Sequence, residues 1–120
     1  MRVIRPLVLL PLVSCIVGCG GSDSTTTPPS SHNKTVDVFT LSTAFSPNFV
    51  QLSAGDTIRF TIVPSANGEG HDVTFVSKPG VPADVKVTLN GVFTRVFATK
   101  GTFHFDCKVH PGMSGDVDVQ

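Results

Sequence analysis

Apolar and polar residues alternate along most of the chain after residue 35, and this alternation limits the fold more than any other sequence feature. A period of two places successive side chains on opposite faces of an extended strand, with one face directed inward. Turn signals such as Ala-Gly-Asp at 54–56 and Asn-Gly at 67–68 separate the alternating runs. The pattern predicts strands near 35–41, 49–53, 57–63, 71–76, 84–89, 92–98, 102–107 and 115–119. The sequence therefore predicts an all-β fold, a β-sandwich of seven to eight strands whose core is largely phenylalanine.

Residues 1–19 have the organisation of a secretory signal. Arg2 and Arg5 precede an apolar run that ends in small residues beside a cysteine. This run is shorter than the ~20 residues that a membrane-spanning helix needs. Ile-Val-Gly-Cys at 16–19, followed by Gly-Gly-Ser, resembles a bacterial lipobox, in which the cysteine is lipidated and becomes the mature N-terminus. We therefore expect an exported chain, periplasmic or extracytoplasmic, that is held at the membrane surface by a lipid on Cys19.

Two alternatives to this anchor stay open. Cys15 is a second lipidation candidate, although cleavage there leaves apolar residues at the new terminus. The segment also fits an ordinary signal peptide that is cleaved slightly further on. Residues 20–34 are small, polar and proline-rich and predict a flexible linker, in which His32 is a solvated side chain. The predicted organisation is a signal at 1–19, a linker at 20–34 and one domain at 35–120.

The cysteines make the domain unusual for an exported protein. Exported domains commonly pair their cysteines as disulfides, but Cys107 is the single cysteine between residues 35 and 120. A lone thiol in an oxidising compartment is vulnerable unless something occupies it. The charge is less informative, because without Arg2 and Arg5 seven basic residues face nine acidic ones. A net charge of about −2 gives no basic face, so we expect no nucleic acid partner.

A thiol, an imidazole and a thioether converge near the end of the sequence, in GTFHFDCKVHPGMSGDVDVQ. Alternation along strand 102–107 places Cys107 on the same inward face as two phenylalanines. His110 and Met113 follow within one tight loop, and His71 opens the strand HDVTF elsewhere in the chain. A thiolate with two imidazoles and a weak axial thioether suits copper that cycles between its +1 and +2 states. Zinc favours four strong donors, and a thioether is a poor one.

The motif C-x-x-H-P-G-M-x-G-x-V, preceded by G-T-F-x-F, resembles the C-terminal signature of the cupredoxins, the plastocyanin and amicyanin group. Its short loop is similar in length to that of amicyanin. FSPNFVQLSAGDTIRFTI resembles the early strands of the family, and HDVTF resembles the strand that begins with the first histidine ligand. The resemblance covers residues 35–120 and implies a Greek-key β-sandwich with one copper ion. It implies that the copper ligands are His71, Cys107, His110 and Met113.

The resemblance also implies a function. Cupredoxins carry single electrons between a donor and an acceptor protein and perform no substrate chemistry, so we expect redox partner proteins and no enzymatic activity. The second ligand histidine, His110, is the expected exit route beneath a small apolar surface patch. Pro111, Gly112 and residues 79–81 are candidates for that patch. We expect a monomer, because the sequence has no evident apolar surface stripe.

Each residue assignment has a simpler alternative. Cys107 fits an inert buried thiol, Met113 fits core packing, and His71 fits a surface histidine at a strand end. His104 alternates to the face opposite the cysteine and is expected to lie outside the site. Asp72 stands where plastocyanins often have an asparagine that braces the cysteine loop. Its carboxylate is predicted to accept backbone hydrogen bonds there and to lower the reduction potential, although a solvated surface acid fits equally well.

Copper storage or delivery in the periplasm is the alternative function. Delivery sites generally expose clusters of methionine or histidine, whereas this chain has only Met1 and Met113 as methionines. Multicopper oxidases need further histidines flanking the cysteine, and Asp106 and Lys108 occupy those positions here. Nitrite reductases need a second domain and a second copper. An electron carrier is therefore the favoured interpretation of the sequence.

Overall fold

The computed structural model describes residues 34–120. The predicted signal at 1–19, the linker at 20–34 apart from Lys34, and His32 lie outside the described residues. Within residues 34–120, no helix is long and apolar enough to cross a membrane.

Strands form at all eight places that the alternation predicts, and the described residues contain nine in total. In chain order they are β1 (Thr35–Thr40), β2 (Phe45–Ser46), β3 (Phe49–Leu52), β4 (Asp56–Ile62), β5 (His71–Phe75), β6 (Val85–Thr88), β7 (Gly91–Phe97), β8 (Gly101–Asp106) and β9 (Ser114–Val119). The additional strand is β2, which has two residues and pairs with the end of β1. The all-β prediction is confirmed.

The strands form two sheets that face each other across one core. The first sheet has the order β2-β1-β4-β7, and the second has the order β3-β9-β8-β5-β6. Two pairings are parallel, β1 with β4 and β3 with β9, and the others are antiparallel. Because consecutive strands often lie in different sheets, the chain crosses repeatedly between the layers and encloses a sandwich core.

Alternation within β4 illustrates how the core is filled. Ile58, Phe60 and Ile62 are buried, whereas the intervening Arg59 is exposed and forms an ion pair with Asp37 on β1. Phenylalanine rings from both sheets meet in the centre with edge-to-face geometry, as aromatic pairs prefer. Among the most deeply buried side chains are Phe60, Phe97, Phe103 and Phe105. The prediction of a phenylalanine core is therefore confirmed.

Strand β8 connects this core to the candidate site. Phe103 and Phe105 are fully buried, and Cys107, two residues further on, keeps the same inward direction. β8 pairs antiparallel with β9 from Gly101 opposite Val119 to Asp106 opposite Ser114. The loop at 107–113 therefore closes this hairpin at one end of the sandwich, and two central strands fix both of its ends.

Candidate metal centre

Backbone hydrogen bonds hold the loop at 107–113 in a compact shape. The Cys107 N–H donates to the carbonyl of Met113 at 2.8 Å, and the Met113 N–H donates to the carbonyl of His110 at 3.1 Å. Gly112 has a φ of +84°, a region that side-chain-bearing residues rarely adopt. These features turn the chain back within one short loop and direct Cys107, His110 and Met113 into the interior.

His71 reaches the same place from β5, which lies next to β6, the edge strand of the second sheet. It pairs with Thr88 of β6 and is fully buried. The preceding residue, Gly70, lies so close to β6 that a Cβ atom there would come within 2.6 Å of the Thr88 carbonyl oxygen. A side chain at Gly70 would force the strands apart, so its absence allows His71 to approach the cysteine loop.

The three strong donors have the spacing of metal ligands. The Cys107 Sγ atom lies 3.8 Å from His71 Nδ1 and 3.6 Å from His110 Nδ1. One ligand atom from each residue can be chosen so that all lie within 4.8 Å of one another. Bonds of ~2.0 Å to imidazole nitrogen and ~2.3 Å to thiolate sulfur, about 120° apart, would separate N and S by about 3.7 Å. The donors therefore fit a trigonal metal site without rearrangement.

Burial favours the neutral forms of Cys107 and His71. It raises the pKa of the Cys107 thiol, although the backbone N–H of Asp72 opposes this by favouring the thiolate. Burial also lowers the pKa of His71, and the neighbouring His110 acts in the same direction. A neutral thiol beside a neutral imidazole is therefore favoured without metal, and binding of a cation must release the thiol proton.

Asp72 braces the cysteine loop as the sequence predicts. Its Oδ1 atom accepts a hydrogen bond from the Lys108 N–H at 2.7 Å, and its Oδ2 atom accepts one from the Thr74 hydroxyl at 2.9 Å. The residue is buried, so the alternative of a solvated surface acid is wrong. Because Lys108 follows Cys107 directly, the carboxylate ties β5 to the loop that carries the thiol.

Comparison with known proteins agrees with this geometry. None of the protein-family models matches the chain. A curated relative, amicyanin-alpha of Methylorubrum extorquens (strain AM1), is 32% identical over 74 residues, which are 59% of this chain and 60% of the relative. The chain therefore matches less than two thirds of the length of that relative.

Solved structures share the fold over most of the described region. Pseudoazurin from Methylobacterium extorquens AM1 superposes with a TM-score of 0.57 at 28% identity, covering 72% of this chain and 75% of pseudoazurin. Plastocyanin from Dryopteris crassirhizoma superposes with a TM-score of 0.56 at 24% identity, covering 71% of this chain and 100% of plastocyanin. The chain has the cupredoxin fold that these copper proteins share.

His104 lies outside the donor cluster, as its position in the alternation predicts. It points outward from β8, where its ring contacts Asp116 at 2.8 Å and Asp106 at 3.2 Å. The hydrogen bond to Asp116 raises the pKa of His104. The residue therefore belongs to an exposed polar cluster on the outer face of the second sheet.

The predicted apolar patch is correct only in part. Pro111 and Gly112 are exposed beside His110. Residues 79–81 lie instead at the other end of the sandwich, where Gly80 packs against Thr99 and Lys78 donates to the Thr102 carbonyl. Their assignment to the patch is wrong, because β5 runs away from the candidate site. The loop that follows β5 lies about five residues, or roughly 16 Å, further along β8.

Glu69 is a residue of the candidate site that the sequence analysis did not single out. Its Oε2 atom lies 3.3 Å from His110 Nε2, on the side of the ring that faces away from Cys107. No sequence motif links Glu69 to the site: it lies two residues before the candidate ligand His71, and only the folded loop brings it to His110. Its side chain is 55% exposed, whereas that of His110 is 9% exposed, so the pair links the buried donors to the surface.

Proposed function

We propose that this chain is a cupredoxin that carries single electrons between redox partner proteins outside the cytoplasm, using one copper ion bound by His71, Cys107, His110 and Met113. The observation that carries the proposal is the 3.6–3.8 Å spacing of two imidazole nitrogens from one buried thiol sulfur. Met113 is buried in the same loop and supplies a thioether for the weak fourth position.

One thiolate, two imidazoles and one thioether are donors that suit a copper ion. When bound, copper would supply a one-electron couple between its +1 and +2 states. The chain contributes a thiolate and two imidazoles, which suit both states, on strands and a loop that hydrogen bonds hold in place. A site that changes little in shape between oxidation states exchanges electrons with little reorganisation. Rigidity of the loop at 107–113 is therefore the main contribution of the protein.

His110 is the proposed route for electrons. Its Nδ1 atom faces the thiol, and its Nε2 atom faces the partly exposed Glu69, so the ring spans the distance from the buried donors to the surface. Exposed Pro111 and Gly112 lie beside it and offer a small contact area to a donor or an acceptor protein. Such encounters are small and short-lived, which suits a carrier that must release each partner. We propose that the carrier acts as a monomer.

We also propose that residues 1–19 export the chain, that residues 20–34 tether the domain at 35–120, and that a lipid on Cys19 anchors it at the membrane surface. Cys107, the single cysteine of residues 34–120, is compatible with this placement, because a bound metal would protect its thiol from oxidation there.

Visible absorption spectroscopy of the purified protein tests the function. Addition of Cu(II) is expected to produce an intense blue band at one copper per chain, which ascorbate bleaches and reoxidation restores. This result reflects a thiolate bound to copper and a reversible one-electron couple. A colourless or merely pale product would contradict the proposal and leave copper storage as the better interpretation.

Replacement of Asp72 by asparagine is expected to raise the reduction potential of the copper-loaded protein. Asparagine can still accept from the Lys108 N–H and can donate to the Thr74 hydroxyl, so the loop keeps its hydrogen bonds. Loss of the negative charge disfavours the +2 state by on the order of 1.4 kcal/mol, or about 59 mV for one electron. Protein-film voltammetry measures the shift, and an unchanged potential would show that the carboxylate charge has no influence on the couple.

A further inference from the structure

The carboxylate of Glu69 contacts the His110 imidazole on the side of the ring that faces the surface. Its carboxylate can only accept hydrogen bonds when ionised, so the contact of 3.3 Å with His110 requires a proton on Nε2. A neutral imidazole carries a single ring proton, and Nδ1, which lies 3.6 Å from the Cys107 sulfur, is then left with its lone pair. The contact thus selects the tautomer that a metal ligand needs.

The turn that carries Glu69 is well defined. The Glu69 N–H donates to the hydroxyl oxygen of Ser65 at 3.0 Å, and the Ser65 N–H donates to the Glu69 carbonyl at 2.9 Å. The Gly68 N–H donates to the Ser65 carbonyl at 2.9 Å, and Ser65 is itself buried. On the other side, Gly70 packs against β6. The backbone of Glu69 is therefore fixed on both sides, and its side chain begins from a defined position.

His71 differs from His110 in this respect. Its Nε2 atom is buried and has no hydrogen-bond partner among the described residues. Within residues 34–120, Glu69 therefore contacts the Nε2 atom of His110 and makes no hydrogen bond to His71, on which its charge acts only at longer range. The ring of His71 is fully buried and is held by packing, whereas the ring of His110, which is 9% exposed, also has a charged partner on its surface side.

We propose that Glu69 is a positioning residue for His110, holding the ring with its Nε2 proton outward and its Nδ1 lone pair toward the Cys107 thiol. This inference deepens the proposed function, on which its second test rests. When copper is bound, the negative charge of Glu69 also favours the +2 state. Because the carboxylate is 55% exposed, its influence is moderate and decreases as salt increases.

Nitrogen–proton correlation spectra of the metal-free protein test the positioning role directly. In the wild-type protein, His110 is expected to carry its proton on Nε2. In Glu69→Ala, the ratio of the Nδ1-H to the Nε2-H tautomer is expected to rise about threefold, a change in line with a half-exposed charged contact. His71, which has no such contact, serves as the internal reference. A wild-type tautomer ratio for His110 in Glu69→Ala would overturn the proposal.

The reduction potential of the copper-loaded protein gives the second test. Glu69→Gln keeps an acceptor oxygen but removes the charge, and it is expected to weaken the preference for Cu(II) over Cu(I) about threefold, or about 28 mV. Asp118→Asn removes an equal charge at the far end of β9 and controls for net charge. A Glu69→Gln shift no larger than that of Asp118→Asn would overturn the proposed influence of the Glu69 charge on the copper couple.

The two proposals fail in different ways. A wild-type protein that gives no blue band would contradict the electron-carrier function, yet the tautomer measurement needs no metal and still decides the role of Glu69. If the wild-type protein is blue and the His110 tautomer ratio is the same in Glu69→Ala, the carrier function stands. That result overturns the positioning role alone.

Discussion

A Cys107→Ser variant is expected to lose the blue absorption band completely and to bind Cu(II) at least about a hundredfold more weakly than the wild-type protein. The hydroxyl oxygen is a hard donor that stays protonated at neutral pH, whereas the thiolate is the soft ligand on which the site depends. Serine has nearly the same shape, so the loop at 107–113 should keep its backbone hydrogen bonds. The loss therefore reports on the ligand and not on the fold.

Titration with Cu(II), followed by visible absorption and by competition with a chelator, measures both effects. His104→Asn is the matched control, because it removes a histidine that lies outside the donor cluster and is expected to keep the band. If Cys107→Ser retained an intense visible band, the thiol would not be a copper ligand and the proposed site would be wrong.

A Phe105→Ala variant is expected to lower the free energy of unfolding by about 4 kcal/mol, because it removes a large buried ring and leaves a cavity. The Phe105 ring is fully buried and lies 4.9 Å, 5.5 Å and 5.9 Å from the ring centres of Phe45, Phe60 and Phe75. It also touches the backbone of β9, where a Cβ on Gly115 would collide with it. Phe105 therefore connects both sheets to the hairpin that carries the site.

Urea unfolding of the metal-free proteins, with the slope of the transition checked for constancy, measures this loss. Phe49→Ala is the control, since Phe49 is 53% exposed and its removal should cost less than about 1 kcal/mol. Equal destabilisation by the two substitutions would show that the phenylalanine cluster does not dominate the stability of this domain.

Much of the fold could be predicted because the alternation in this chain is regular. Strand β4 alternates without interruption, and β8 continues its inward face to Cys107, so the direction of the thiol followed from counting residues. The two-residue strand β2 was missed because such a short segment has no period to detect. Its formation depends on pairing with β1, which is a tertiary contact.

Site residues that lie together in one sequence motif could be predicted. Site residues that only the pairing of strands brings together could not be predicted from local pattern. Cys107 and His110 are three residues apart, but His71 is separated from Cys107 by 36 positions, and the resemblance identified it. Neither pattern nor motif indicated that Glu69 would meet His110, or that the loop after β5 would emerge at the opposite end. Both facts follow from strand direction and order, which local periodicity does not specify.

The position of β9 has a consequence for when the metal can be captured. β9 is an interior strand of its sheet: it forms a local antiparallel hairpin with β8, but on its other side it must pair in parallel with β3, which is distant in sequence. Pairings between such distant segments form late, since the entropy of closing long loops is lost first. Both ends of the ligand loop are held only after β9 is in place. Metallation should therefore follow folding, and a partly folded chain would expose its thiol without yet offering a binding site.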